Sequence, residues 1–297
     1  MKPRTRFAPS PTGPLHLGHA YSALVGAARA EALGGEFLVR LEDLDQGRAR
    51  PHWEAQIHDD LAWLGLVYPR PVMRQSERGP AYAAALTRLW DSGLLFRCTC
   101  SRRDIEAALS APQEGAPQLG PDGLVYPGTC RPTPGDRPGG PLPPDGALRL
   151  NMRAAVHLTG HIRFSETARA PVGTVTVTPG TLVGSVGDVV LRRRDGAAAY
   201  HLAVVVDDAD QAITDVPRGE DLFEATAIHV VLQRLLGLPT PAYHHHRLIR
   251  DAAGKRLAKR DDSRSLATLR AAGWTMQDVR HAVGDRKSTR LNSSHRY

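Results

Sequence analysis

The chain has 297 residues, with 38 Lys plus Arg against 31 Asp plus Glu and a formal net charge of +7. That length can bury a sizeable core, as one large domain with an insertion or as two domains, and the basic balance favours an anionic substrate or polyanion partner without requiring one. No apolar stretch reaches spanning length and the start lacks a signal-peptide core, so no membrane association and a cytoplasmic location are expected.

Residues 4–19 read as a short buried strand, a turn crowded with Pro9, Pro11, Gly13 and Pro14, and a helix entered at His16. Ala, Leu and Arg dominate from Ala20 to Leu33, and Gly34-Gly35 supply the stop. A second apolar run, Glu36 to Leu41, makes a strand–helix–strand unit, the parallel crossover of α/β domains. A helix N-terminus at the carboxyl end of such a strand suits phosphate. The turn lacks both common Gly-rich nucleotide loops and carries His16-Leu-Gly-His19 instead. Two imidazoles one helical turn apart can face one anion, and Gly18 leaves room for a flat base. Alone, the motif is equally a helix start with two partly exposed histidines.

Arg40-Leu-Glu-Asp-Leu-Asp45 puts acids at the carboxyl end of the second strand, where ligands of open parallel sheets sit. Glu42 could hold an α-ammonium group, or simply pair with Arg40 or Arg48. Pro51–Leu64 and Pro80–Trp90 are expected as helices, the first burying Trp53, Ile57, Leu61 and Leu64, the second Tyr82, Leu86, Leu89 and Trp90. Leu94 to Cys98 reads as a strand running into Cys100, and Ser101 with Asp104 as a helix cap. From Ala111 to Gly146 Pro and Gly dominate, and Cys130 sits inside this stretch.

The three cysteines, Cys98, Cys100 and Cys130, argue against a disulfide framework and for metal or nothing. They would supply three of the four ligands that tetrahedral Zn²⁺ takes, with water or Asp122 as residue-level candidates for the fourth. Alternating residues in Ala147–Arg153, Gly173–Val177 and Val186–Arg192 suggest a small, partly antiparallel insertion between the halves of the sheet. Tyr200 to Asp208 is ambiguous, since its valines favour a strand. Ile213–Val216 and Tyr243–Ile249 are expected as strands, Leu222–Leu236, Ser265–Ala272 and Thr275–Val283 as helices. Gly254 to Arg260 is a basic loop, on composition alone a solvated turn. Residues 285–297 show no hydrophobic period and read as a non-native tail.

Together, Pro9-Ser-Pro-Thr-Gly-Pro-Leu-His-Leu-Gly-His19 and Arg256-Leu-Ala-Lys259 resemble the two signatures of class I aminoacyl-tRNA synthetases. Arg6-Phe-Ala-Pro-Ser-Pro-Thr-Gly13 and Arg40-Leu-Glu-Asp-Leu-Asp45 resemble the glutamyl sub-type, and the likeness spans nearly the whole chain in order. It implies a Rossmann-type parallel sheet (α/β) with an inserted zinc-containing α+β subdomain and a short helical C-terminus. The expected divisions are 1–97 and 186–262 for the two halves of the nucleotide-binding domain, 98–185 for the insertion, 263–284 for the helical end and 285–297 for the tail. Tyr200 would lie on a helix.

The resemblance further implies an ATP-dependent ligase. His16, His19 and Lys259 would be catalytic and, with Gly18, bind ATP. Arg6, Ala8, Ser10, Glu42, Tyr200 and Arg218 would bind L-glutamate, a carboxylate side chain calling for a bidentate arginine. Tyr126 would be the fourth zinc ligand beside Cys98, Cys100 and Cys130, and Mg²⁺ would accompany ATP. The second signature departs from the usual K-x-S-K, with Arg256 for the first Lys and Ala258 for the Ser.

Only about two helices follow the basic loop, too few for an anticodon-reading domain. The chain therefore resembles the truncated branch of the family, which activates glutamate without tRNA and esterifies it to queuosine in the anticodon loop of tRNA(Asp); a monomer is expected. The alternatives are a shortened glutamyl- or glutaminyl-tRNA synthetase charging its own tRNA, and a non-catalytic nucleotide-binding paralogue. Exchange of pyrophosphate into ATP separates the last from the others.

Overall fold

A computed structural model describes residues 2–110, 119–133, 139–249 and 265–284. The first half runs β1 (Arg4–Phe7), α1 (Leu17–Ala32), β2 (Glu36–Leu41), α2 (Pro51–Trp63), β3 (Met73–Arg74), α3 (Gly79–Asp91), β4 (Leu95–Cys98) and α4 (Arg102–Ser110). A small hairpin, β5 (Leu119–Gly120) with β6 (Gly123–Leu124), precedes β7 (Ala147–Leu150) and α5 (Met152–Thr159). Then come β8 (Ile162–Glu166), β9 (Gly173–Val177), the single turn α6 (Pro179–Thr181), β10 (Val190–Arg192) and α7 (Tyr200–Asp210). The chain continues through β11 (Asp215–Gly219), α8 (Thr226–Leu236), β12 (Ala242–His246), α9 (Leu266–Ala271) and α10 (Met276–Ala282).

β1, β2 and β3 pair in parallel, as do β11, β12 and β8, with β9 antiparallel at the edge. The halves meet where Thr214 N donates to Arg4 O at 3.0 Å and Arg4 N to Thr214 Oγ1 at 2.9 Å. The carboxyl ends of β1, β2, β11 and β12 thus face one rim, the ligand edge of an open α/β sheet. Burial of three consecutive residues in β1 fits a strand covered on both faces. One core gathers Phe7, Leu24, Val39, Ile57 and Leu61 with Leu266, Val279 and Val283 of the last helices, so α9 and α10 dock on α1 and α2. A second lies among α3, α5, α7 and α8, and a small third gathers Phe96, Cys98, Tyr126 and Ala147. Among the described residues no helix is long and apolar enough to cross a membrane.

Most expected elements appear, and the helix over Tyr200 shows why propensity misleads. Leu202, Val204, Val205 and Val206 are all buried on α7. Burying one such side chain contributes roughly 1.5–3 kcal/mol, against a few tenths lost to helical valine. Elsewhere the sequence expectation needs correction. Ala147–Arg153 is not one strand: β7 stops at Leu150, and Asn151 caps α5 by accepting from Ala154 N. Of Val186–Arg192 only Val190–Arg192 is a strand. Strands on either side of 97/98 and 185/186 also pair with one another. β4 and β10 flank β7 in an antiparallel sheet, while β8 and β9 belong with β12. Such long-range pairing leaves no trace in local composition.

Candidate active site

The turn after β1 enters α1 through His16. Its extended backbone (φ −125°, ψ 176°) and side chain make it the N-cap. His16 Nδ1 accepts from Gly18 N at 3.0 Å, and His19 Nδ1 accepts from His16 N at 3.2 Å. With both Nδ1 atoms engaged as acceptors, each neutral ring carries its proton on Nε2. The two rings lie 3.8 Å apart, centroid to centroid. A helix N-terminus flanked by two Nε2–H donors is suited to polyphosphate. A Cβ on Gly18 would come within 2.9 Å of His16 Cε1, so the cap geometry demands glycine there.

His16, Gly18 and His19 line a cavity of about 560 Å³ at the sheet's carboxyl rim. Arg6, Ala8 and Ser10 from β1 and its turn, Glu42 after β2, Tyr200 at the start of α7 and Arg218 on β11 line the same cavity. The sites expected for ATP and for glutamate are therefore one continuous space. Lys259, Arg256 and Ala258 lie outside the described residues. The residue before that segment, Ile249, lines the cavity, and the residue after it, Ser265, pairs with His16.

The cavity floor is a buried ion network, of which the sequence reading had only the Arg40–Glu42 pair. Arg6 donates to both oxygens of Asp208 at 3.1 and 3.4 Å and to Pro217 O at 3.4 Å. Arg40, fully buried, bonds Asp208 at 2.7 Å and Glu42 at 3.3 Å. Burial pushes the Glu42 carboxyl up, against the pull of Arg40 and Arg6. Asp208 stays below the usual carboxylate range because Arg6 and Arg40 outweigh its burial. The Arg6 and Arg218 guanidiniums both already have partners within the protein. Arg6 spends its fork on Asp208, while Arg218 donates to His245 Nε2 and His229 Nδ1 at 3.0 Å, Leu222 O at 3.1 Å and Thr226 Oγ1 at 2.6 Å. Histidines inside apolar helix and strand patterns (His201, His229, His245) were the available signal.

The cysteines gather as expected. The sulfurs of Cys98, Cys100 and Cys130 lie within 4.8 Å of one another, Cys100 and Cys130 at 3.4 Å. Tetrahedral Zn–S bonds of about 2.3 Å would place sulfurs about 3.8 Å apart, so the cluster fits the ion. Tyr126 Oη stands 3.4 Å from Cys98 Sγ and 3.5 Å from Cys100 Sγ. Asp122 is turned away from the cluster, towards His201 Nε2 at 3.3 Å, which removes it as the alternative fourth ligand. Burial pushes the Tyr126 phenol up, so a phenolate there needs a neighbouring cation.

This geometry can be set beside known proteins. The family described as "tRNA synthetases class I (E and Q), catalytic domain" matches residues 2–120 and 149–285. A glutamyl-Q tRNA(Asp) synthetase of Rhodobacter capsulatus is 60% identical over 280 residues, 94% of this chain and 99% of that protein. The chain belongs to the glutamyl-Q tRNA(Asp) synthetase family. As a member of that family it is a ligase-type enzyme of the class I synthetases. The Nocardia farcinica glutamyl-Q tRNA(Asp) synthetase is 43% identical over 92% of this chain and 81% of its own length. A solved glutamate tRNA ligase from Elizabethkingia meningosepticum, in complex with its amino acid, superposes with a TM-score of 0.68 at 30% identity. It covers 88% of this chain, which spans about half (52%) of that longer protein. Tyr126 and Cys130 fall in the stretch between the two matched segments.

Proposed function

We propose that the chain activates L-glutamate with ATP, without tRNA, and transfers it to queuosine in the anticodon loop of tRNA(Asp). The observation that carries the reading is the shared cavity: phosphate-type donors at His16 and His19, and two guanidiniums, Arg6 and Arg218, at its floor. The glutamate α-carboxylate attacks the α-phosphorus of ATP. A carboxylate–phosphorus bond forms as the bond to pyrophosphate breaks. Positioning and charge neutralisation supply most of such a rate, which needs no side-chain nucleophile.

In this reading His16 and His19 donate from Nε2 to phosphate oxygens and Gly18 lies beneath the adenine. Lys259 neutralises charge developing on the triphosphate. Arg6 and Arg218 hold the side-chain carboxylate, one N–H from each, and Ser10 and Glu42 hold the α-substituents, the backbone of Ala8 lies alongside, and Tyr200 closes the pocket. Mg²⁺, bound with ATP, would offset polyphosphate charge. Cys98, Cys100, Cys130 and Tyr126 would hold one structural zinc. Every role in this reading falls to residues of one chain, and the protein is taken as a monomer.

The test is charging of tRNA(Asp) with and without queuosine, beside tRNA(Glu). Glutamate should attach only to queuosine-containing tRNA(Asp), through a bond that maps to the modified base. An ester on a 3′-terminal adenosine would instead mean ordinary tRNA charging.

A further inference from the structure

Arg218 and Arg6 share the cavity but differ in what balances them. Arg6 is paired with the Asp208 carboxylate at 3.1 Å. Arg218, 4% exposed, donates to two imidazoles, a carbonyl and a hydroxyl, all of them neutral acceptors when the rings are unprotonated.

The bond directions set the ring states. Arg218 Nε–H points at His245 Nε2, so the His245 proton sits on Nδ1 and is donated to Glu166 Oε2. Glu166 Oε1 also accepts from the backbone of Ala168 at 2.8 Å and Arg169 at 2.9 Å, which keeps this carboxylate charged and fixed. Arg218 Nη1–H points at His229 Nδ1, so His229 donates from Nε2 to His201 Nδ1 at 3.0 Å. His201 in turn donates from Nε2 to Asp122 at 3.3 Å. Each carboxylate therefore stands at least one ring away from the guanidinium. It orients the relay and strengthens the last lone pair without cancelling the charge. These bonds engage four of the five Arg218 N–H groups and leave one on Nη1.

We infer that His229 and His245 are positioning residues that hold Arg218 as a charge-uncompensated guanidinium, and that this arrangement makes the cavity select an acidic side chain over its amide. The inference rests on the proposed glutamate reading of the cavity. A carboxylate next to Arg218 would neutralise it and remove the advantage of glutamate over glutamine; a neutral acceptor in the same place would not.

The test compares the full-length wild type with His229→Asp and His229→Asn in tRNA-free ATP–pyrophosphate exchange, on glutamate and on glutamine. His229→Asp should raise KM for glutamate roughly tenfold or more, a loss typical of a charge-assisted contact, while KM for ATP stays within about twofold. The glutamate-to-glutamine ratio should collapse with it, and His229→Asn, whose amide oxygen can replace Nδ1, should restore both. An unchanged ratio in His229→Asp, or equal losses in both variants, would overturn the inference. His245→Gln against His245→Glu repeats the comparison should the first pair fail to fold. Nitrogen NMR of the wild type gives a readout independent of turnover: His245 should carry its proton on Nδ1 and His229 on Nε2 at neutral pH, and an imidazolium at either position contradicts the arrangement. Absence of glutamate exchange in the wild type would instead count against the proposed function itself.

Discussion

Ser265 pairs with His16 in an antiparallel bridge, Leu266 N donating to Leu15 O at 2.8 Å. The chain therefore re-enters the described structure against the residue that caps α1 and faces the cavity. Ile249 leaves it from the same cavity wall. Ile249 and Ser265, the described residues on either side of the second signature, thus both lie at the rim that the first signature forms.

His16 holds this rim only while its ring can lie over Gly18, whose Cβ would sit 2.9 Å from it. Gly18→Ala should push the ring aside and raise KM for ATP in pyrophosphate exchange about tenfold. The folding cost should stay near 1 kcal/mol, the scale of a lost cap. Unaltered ATP dependence would show that the cap geometry has no part in nucleotide binding.

Asp208 lies between Arg6 and Arg40, bonding both. Asp208→Asn would leave buried Arg6 without its carboxylate partner and Arg40 with Glu42 and Asp207 alone, a loss on the order of 3 kcal/mol. Urea unfolding should show it as a lower midpoint with an unchanged slope. A midpoint within error of wild type would mean the network contributes little to stability.

Much of this was legible from the sequence, and the gaps have physical causes. The crossover, the helix entered at His16 and the two C-terminal helices follow from local patterns, all of which the structure repeats. The cavity residues were found through motif resemblance, because the convergence of Arg6, Glu42, Tyr200 and Arg218 comes from strands distant in sequence. Asp208, His229 and His245 escaped notice for the same reason. A buried charge or imidazole is recognisable only once its partner is known, and their partners lie far along the chain. Asp122 was open as a metal ligand on composition, and only the hairpin's orientation turns it to His201.

The buried histidines give stability a definite pH slope. Burial, with Arg218 nearby, holds His245 at about 4, below the ordinary 6.5; His244 is also held at about 4, by burial and Arg29. Between those values the unfolded chain takes up protons that the folded one refuses. Stability is therefore present above about pH 6.5 and is lost as pH falls towards 4. For His245 alone the loss from pH 7 to pH 4.5 is about 2 kcal/mol. Denaturant unfolding across that range should show the decline, and His245→Gln should flatten it. A slope of opposite sign would contradict neutral, buried rings.

If the cysteine cluster holds zinc, metal analysis of the purified protein should give one ion per chain, and Cys100→Ser should lose it. Chelation should then lower the melting temperature of the wild type and leave that of the variant unchanged. Metal-free protein with the same melting temperature would reduce Cys98, Cys100, Cys130 and Tyr126 to packing.

The most direct measurement is ATP–pyrophosphate exchange in the absence of any tRNA. Glutamate should drive exchange, Arg218→Ala should abolish it while the melting temperature holds, and Lys259→Ala should lower kcat roughly 100-fold. Exchange that ignores glutamate, or that survives unchanged in Arg218→Ala, would contradict the claim that this cavity makes the mixed anhydride.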